Sequence, residues 1–120
     1  MNVLIIEDEP AAAENLTYIL KEIVPSINIE TVIDTVIDAI DFFNNPHHIE
    51  LAFFDIHLAD GISFEIFEKT QVNIPIIFTT AYDEYAIKAF KVNSIDYLLK
   101  PIDEDELKAA VDKYKSQQTA

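Results

Sequence analysis

Short apolar runs alternate with longer amphipathic stretches along this chain, and five such units can be counted. Residues 3–6 are apolar throughout and predict a strand buried on both faces. Ala12, Leu16, Ile19, Leu20 and Ile23 then recur at helical spacing, with Pro10 suited to a first helical turn and Pro25 closing the segment. Ile27, Ile29, Thr31 and Ile33 alternate with other residues, which predicts a strand with one less buried face at a sheet edge. Val36, Ile40 and Phe43 mark a second helix, stopped by Asn44-Asn45-Pro46. Residues 51–54 form the third apolar run, and a helix around Phe64, Phe67 and Glu68 follows the loop after Asp55. The fourth strand is predicted over 74–79, with Pro75 at its beginning, and the next helix around Tyr85, Ala86, Ala89 and Phe90. The fifth strand is predicted over 95–99. Leu107, Ala110, Val111 and Tyr114 mark the last helix, with Asp103 as N-cap and Glu106 as capping-box partner.

Repeated β-α units of this length build a parallel sheet covered by helices on both faces. With right-handed crossovers the expected fold is a three-layer α/β/α sandwich. Residues 1–115 make one domain, and the polar, aperiodic residues 116–120 read as the start of a linker or a frayed tail. Ligands of such sheets bind beyond the carboxyl ends of the strands, where strand order reverses.

Composition narrows the function classes. Half of the 120 residues are hydrophobic, enough for a real core. No apolar run approaches the roughly 20 residues of a membrane span, and no basic-then-apolar signal segment opens the chain. There is no cysteine, hence no disulfide, no thiolate metal site and no cysteine nucleophile, which fits a cytoplasmic setting. A net charge of −14 repels phosphate backbones, so this domain is not expected to bind nucleic acid itself. Most of the acids serve solubility, and Asp60, Asp83 and Glu84 read as caps or solvated acids. His47 and His48 read as loop residues.

Four apolar runs end on polar chemistry: Glu7-Asp8 after the first, Asp55 after the third, Thr80 after the fourth and Lys100-Pro101 after the fifth. In a parallel sheet these ends converge. Two like charges about 4 Å apart repel by about 4 kcal/mol at an effective dielectric near 20, so three carboxylates together call for a cation. An all-oxygen set favours Mg²⁺ or Mn²⁺ over zinc. A carboxylate such as Asp55 beside a divalent ion is a reasonable nucleophile toward phosphorus, with Thr80 and Lys100 able to bond the phosphoryl oxygens. Gly61 is the only glycine, which rules out a Gly-rich phosphate cradle.

Taken in order, Ile5-Ile6-Glu7-Asp8-Glu9, Phe54-Asp55-Ile56, Phe78-Thr79-Thr80-Ala81 and Asp96-Tyr97-Leu98-Leu99-Lys100-Pro101 resemble the receiver domain of a bacterial two-component response regulator. The resemblance covers residues 1–115. The stretch from Thr80 to Phe90 further resembles receivers attached to LytTR-type DNA-binding domains. The resemblance implies a flavodoxin-like sheet in the order 2-1-3-4-5. It implies that Asp55 accepts a phosphoryl group from a sensor histidine kinase, with Mg²⁺ held by Asp8, Asp55, Glu7 through water, and the backbone carbonyl of His57. Thr80 and Lys100 would contact the phosphoryl group, Tyr97 would act as the switch aromatic, and the Lys100–Pro101 bond would be cis. It further implies a cytoplasmic homodimer through the segments 85–92, 95–99 and 103–114, and DNA binding only through an effector domain beyond residue 120. Such a domain phosphorylates and dephosphorylates itself but turns over no metabolite. Three positions depart from the family pattern: Glu7 where Asp is commoner, Ala59 where Pro is common, and Gly61 two positions early, where Ser63 takes the usual glycine's place. A loop of different shape after Asp55 is the consequence.

Three rival readings are weaker. A stand-alone phosphorelay receiver shares every motif and lacks only the effector. An aspartyl phosphatase of the haloacid dehalogenase type wants a second Asp two residues after the nucleophile, where His57 stands. A flavin carrier of the same topology wants a Ser/Thr-rich phosphate loop where Glu7-Asp8-Glu9-Pro10 would repel phosphate.

Overall fold

The computed structural model describes residues 1–82 and 94–118. Among them the chain forms, in order, β1 (Asn2–Ile6), α1 (Pro10–Ile23), β2 (Asn28–Ile33), α2 (Val36–Phe43), β3 (Leu51–Phe54), β4 (His57–Leu58), β5 (Gly61–Ile62), α3 (Phe64–Lys69), β6 (Ile76–Thr80), β7 (Ser94–Leu99) and α4 (Glu104–Gln117). Five strands make one sheet in the order β2-β1-β3-β6-β7, with every neighbouring pair parallel. Counted without the short hairpin β4–β5, this is the expected order 2-1-3-4-5. The hairpin itself was not anticipated.

The period of two along β1 explains the layers. Val3 and Ile5 pack with Leu16 and Leu20 of α1 and Leu107 and Val111 of α4 on one face. Leu4 and Ile6 pack with Val36 and Phe43 of α2 and Phe64 and Ile66 of α3 on the other. A central strand of a doubly covered sheet must be apolar at every position, and β1, β3 and β6 are buried throughout except at Asn2. Phe53, Phe54 and Phe78 are among the largest fully buried side chains, each worth about 1.5–3 kcal/mol of burial. β2 lies at the sheet edge, as its mixed pattern predicts, and is largely exposed.

Several boundaries differ from expectation for identifiable reasons. Ala13, not Ala12, joins the buried face of α1. β6 begins at Ile76 rather than residue 74: Pro75 has no N–H to give a ladder, although its carbonyl accepts from Ala52 N–H at 3.1 Å. β6 runs on to Thr80, which pairs with Leu99. Ser116 and Gln117 continue α4 instead of starting a tail, since neither is a helix breaker. Asp103 caps α4 as predicted, its Oδ2 accepting from Glu106 N–H at 3.0 Å. The helix expected around Tyr85, Ala86, Ala89 and Phe90 lies outside the described residues.

Candidate functional site

The central strands deliver their acids to one edge. Glu7 and Asp8 follow β1, Asp55 follows β3, and β6 ends on Thr80. Backbone bonds continue the ladder past the strand ends: Asp55 N–H donates to Ile6 O at 2.8 Å and Glu7 N–H to Ile33 O at 2.9 Å. The result is a tight cluster in which one carboxylate oxygen from each of Glu7, Asp8 and Asp55 lies within 4.8 Å of the others. Glu7 is 4% exposed and Asp55 5%, while Asp8 is half-buried.

Lys100 reaches into this cluster from the end of β7. Its ammonium stands 2.5 Å from Glu7 Oε1 and 2.9 Å from Asp55 Oδ2. The other oxygens also have donors: Asp55 Oδ1 accepts Ile56 N–H at 2.7 Å, and Glu7 Oε2 accepts Glu9 N–H at 3.1 Å. Lys100 N–H donates to Thr80 O at 2.7 Å, and the following bond to Pro101 is cis, as expected. Thr80 is fully buried, and its Oγ1 accepts Tyr82 N–H at 3.4 Å. Tyr97 packs its ring 6.1 Å from that of Phe78 and donates its hydroxyl to the Tyr82 carbonyl. The Tyr82 backbone therefore touches both Thr80 and Tyr97, one through its N–H and the other through its C=O.

Residues 3–112 match the response regulator receiver domain. The chain is a receiver domain of the response-regulator family. It is 40% identical over 98% of its length to the sensory transduction protein LytT of Bacillus anthracis, covering 48% of that protein. It is 36% identical over 97% of its length to the transcriptional regulatory protein LytR of Staphylococcus aureus strain N315, again covering 48%. The chain thus spans about half the length of the curated relatives it matches. Among solved structures, it superposes on the response regulatory domain of protein mrkE from Klebsiella pneumoniae with a TM-score of 0.82 at 27% identity, covering 98% of this chain and 97% of that one.

The electrostatics of this receiver domain follow from the crowding. Burial pushes the Glu7 carboxyl from the ordinary 4.5 up to about 7, against the hydrogen bonds from Lys100 and Glu9 N–H and with help from the charge of Asp55. Burial works to lower the Lys100 ammonium, but its hydrogen bonds to Glu7 and Asp55 outweigh that and raise it. Lys100 is thus a firmly held cation in a nest of acids. One ammonium cannot offset three carboxylates, and the all-oxygen donor set fits a further hard divalent cation.

After Asp55 the chain forms a short antiparallel hairpin, β4–β5. His57 and Leu58 pair antiparallel with Ile62 and Gly61, which leaves Ala59 and Asp60 as the hairpin turn. Gly61 has φ +155°, a backbone conformation that residues with a side chain rarely adopt, so this position favours glycine. The His57 ring lies 4.4 Å from that of Tyr82 at the mouth of the site. Asp60 is a cap, as read from sequence, but of a helix earlier in the chain: its Oδ1 accepts Val36 N–H at 2.6 Å and its Oδ2 accepts Ile37 N–H at 3.1 Å. The Asp60-Gly61 dipeptide between apolar residues was the available signal for the turn. Asp83 and Glu84 lie outside the described residues.

Proposed function

We propose that Asp55 accepts a phosphoryl group from a phosphohistidine of a sensor kinase. The observation that carries this is Asp55 itself: a buried carboxylate at the end of β3, held by Ile56 N–H and Lys100, with Glu7 and Asp8 beside it. An Asp55 oxygen forms the new O–P bond as the donor's N–P bond breaks and the imidazole leaves. Asp8, Asp55, the His57 carbonyl and, through water, Glu7 would hold Mg²⁺ or Mn²⁺, which would supply positive charge to the phosphoryl oxygens. Lys100 shifts from its carboxylate partners to the phosphoryl group, which carries the charge it needs. Thr80 donates its hydroxyl proton to a phosphoryl oxygen, and movement of the side chain toward that oxygen draws Oγ1 away from Tyr82 N–H. Tyr97 follows inward, because its hydroxyl is tied to that same residue. Apart from its own phosphorylation and dephosphorylation, this domain catalyses nothing.

The output is proposed to be a change in association through the segments 95–99 and 103–114, together with 85–92, which lie outside the described residues. Exposed Leu99 on the edge strand β7 supports an interface there. The LytT and LytR relatives, twice as long, support an attached LytTR-type DNA-binding effector and hence a transcription factor in the cytoplasm. Incubation with acetyl phosphate and Mg²⁺ is the test: intact mass should rise by one phosphoryl group, labile to hydroxylamine. The same adduct on Asp55→Asn would overturn the assignment.

A further inference from the structure

The proposed Mg²⁺ ligands stand on two separate loops, one after β1 and one after β3. Their spacing depends on what holds those loops together. One backbone bond joins them close to the strands, Asp55 N–H to Ile6 O, while Glu7 N–H to Ile33 O ties the loop after β1 to the end of β2. Farther out, the loop after β3 rises into the β4–β5 hairpin and returns where Ser63 N–H donates to Ile56 O at 2.8 Å. The tip of that hairpin is anchored by a side chain. Asp60 spans 24 residues to grip the first turn of α2 with both carboxylate oxygens, on Val36 N–H at 2.6 Å and Ile37 N–H at 3.1 Å. The same corner of the chain carries Ile33, whose carbonyl holds Glu7.

A ring of contacts therefore runs from Asp55 to Ile6, from Glu7 to Ile33, from the α2 N-terminus to Asp60, and back down β4 to Asp55. Asp60 is the side-chain link that closes it. Its position is also chemically apt: the first N–H groups of a helix have no partner within the helix and favour a negative charge. Burial works to raise the Asp60 carboxyl, but the N–H groups of Val36, Ile37 and Asp60 itself outweigh it and hold it below the ordinary 3.8. The clamp is thus in its charged, doubly accepting form at neutral pH.

We propose that Asp60 is a positioning residue: by pinning the β4–β5 hairpin to α2 it sets the distance between the two acid-bearing loops and so the affinity for Mg²⁺. This rests on the metal-assisted phosphorylation proposed above. α2 has a second, local cap, Thr35 Oγ1, which accepts Asp38 N–H at 3.1 Å and does not touch the hairpin. Thr35→Ala therefore weakens the same helix end without cutting the tie.

The experiment is calorimetric titration of the chain with MgCl₂, for the unaltered protein, Asp60→Ala, Asp60→Asn and Thr35→Ala, with thermal unfolding of each without metal. Asp60→Ala is expected to bind Mg²⁺ about tenfold more weakly, the scale on which outer-shell partners act. Thr35→Ala is expected to lower the unfolding temperature similarly while binding Mg²⁺ as the unaltered protein does. Asp60→Asn keeps one acceptor oxygen and should fall between. Unchanged Mg²⁺ affinity in Asp60→Ala, or an equal loss in Thr35→Ala, overturns the positioning role and leaves the phosphorylation reading standing. Failure of the unaltered protein to bind Mg²⁺ overturns both. If Asp60→Ala does not fold, Asp60→Asn decides: weakened binding supports the role and unchanged binding overturns it.

Discussion

Lys100 and Asp55, 45 residues apart, meet at 2.9 Å between Nζ and Oδ2, and the same ammonium stands 2.5 Å from Glu7. A single cation is thus shared between the proposed phosphoryl acceptor and a neighbouring acid. It is the only basic group that the ion pairs among the described residues place in this cluster.

Lys100→Met should expose how much of the crowding it relieves. Without its ammonium, Glu7 and Asp55 face each other with no counter-charge. Leaving such groups unpartnered is expected to cost about 1–3 kcal/mol in the absence of divalent metal. Added Mg²⁺ should restore more stability to Lys100→Met than to the unaltered protein. Thermal unfolding with and without MgCl₂ measures both; equal gains would count against the shared-cation picture.

Glu7 predicts a pH dependence with an uncommon sign. Its carboxyl, at about 7 in the folded protein against 4.5 ordinarily, keeps a proton that the unfolded chain releases. The folded state binds the extra proton in this window, so the Glu7 contribution is full below about 4.5 and lost as pH rises through about 7. Lys100, being raised, keeps its contribution across the whole window. Glu7→Gln should remove this slope, as read from urea unfolding at a series of pH values. Mg²⁺ affinity should rise over the same window by up to about tenfold per pH unit, because the ion competes with the proton.

Tyr97→Phe removes the hydroxyl that donates to the Tyr82 carbonyl while keeping the ring against Phe78. The expected loss is about 0.5–1.5 kcal/mol of stability. Labelling of Asp55 by acetyl phosphate should proceed at an unaltered rate. The amide resonance of Tyr82 should respond less to phosphorylation than in the unaltered protein, and an identical response would remove Tyr97 from the proposed switch.

Phe54 precedes Asp55 and is fully buried, with ring centroids 5.4 Å from Phe67, 6.1 Å from Phe43 and 6.2 Å from Phe78. Phe54→Ala is expected to cost about 3–5 kcal/mol through lost burial and the cavity left behind. Denaturant unfolding checks the magnitude. Phe54→Leu should cost much less, since most of the volume is kept.

What could be read from the sequence was whatever follows from local pattern and strand ends. Uninterrupted apolarity in residues 3–6 and 51–54 identified strands covered on both faces, and the alternation around Ile29 and Thr31 identified the edge strand. The polar residues terminating those strands marked the site, because a parallel sheet brings all its carboxyl ends to one edge. That Glu7, Asp8, Asp55 and Lys100 come together at one edge was therefore legible before any coordinates. The bounds of β6 and α4 were not, since Pro75 has no N–H for the ladder and Ser116 and Gln117 are neutral toward helix.

Only the tertiary structure decided how those residues are partnered. Nothing in residue spacing says that Lys100 bridges Glu7 and Asp55, that burial lifts Glu7 to about 7, or that Tyr82 joins Thr80 to Tyr97. Asp60 is the clearest case. Sequence alone reads it as a cap or a solvated acid, yet the helix it caps lies 24 residues earlier. Periodicity reports which face of an element is buried, because burial repeats with the element's own geometry. It carries no information on which distant backbone donor comes within 3 Å of a given carboxylate, because that depends on how separate elements pack.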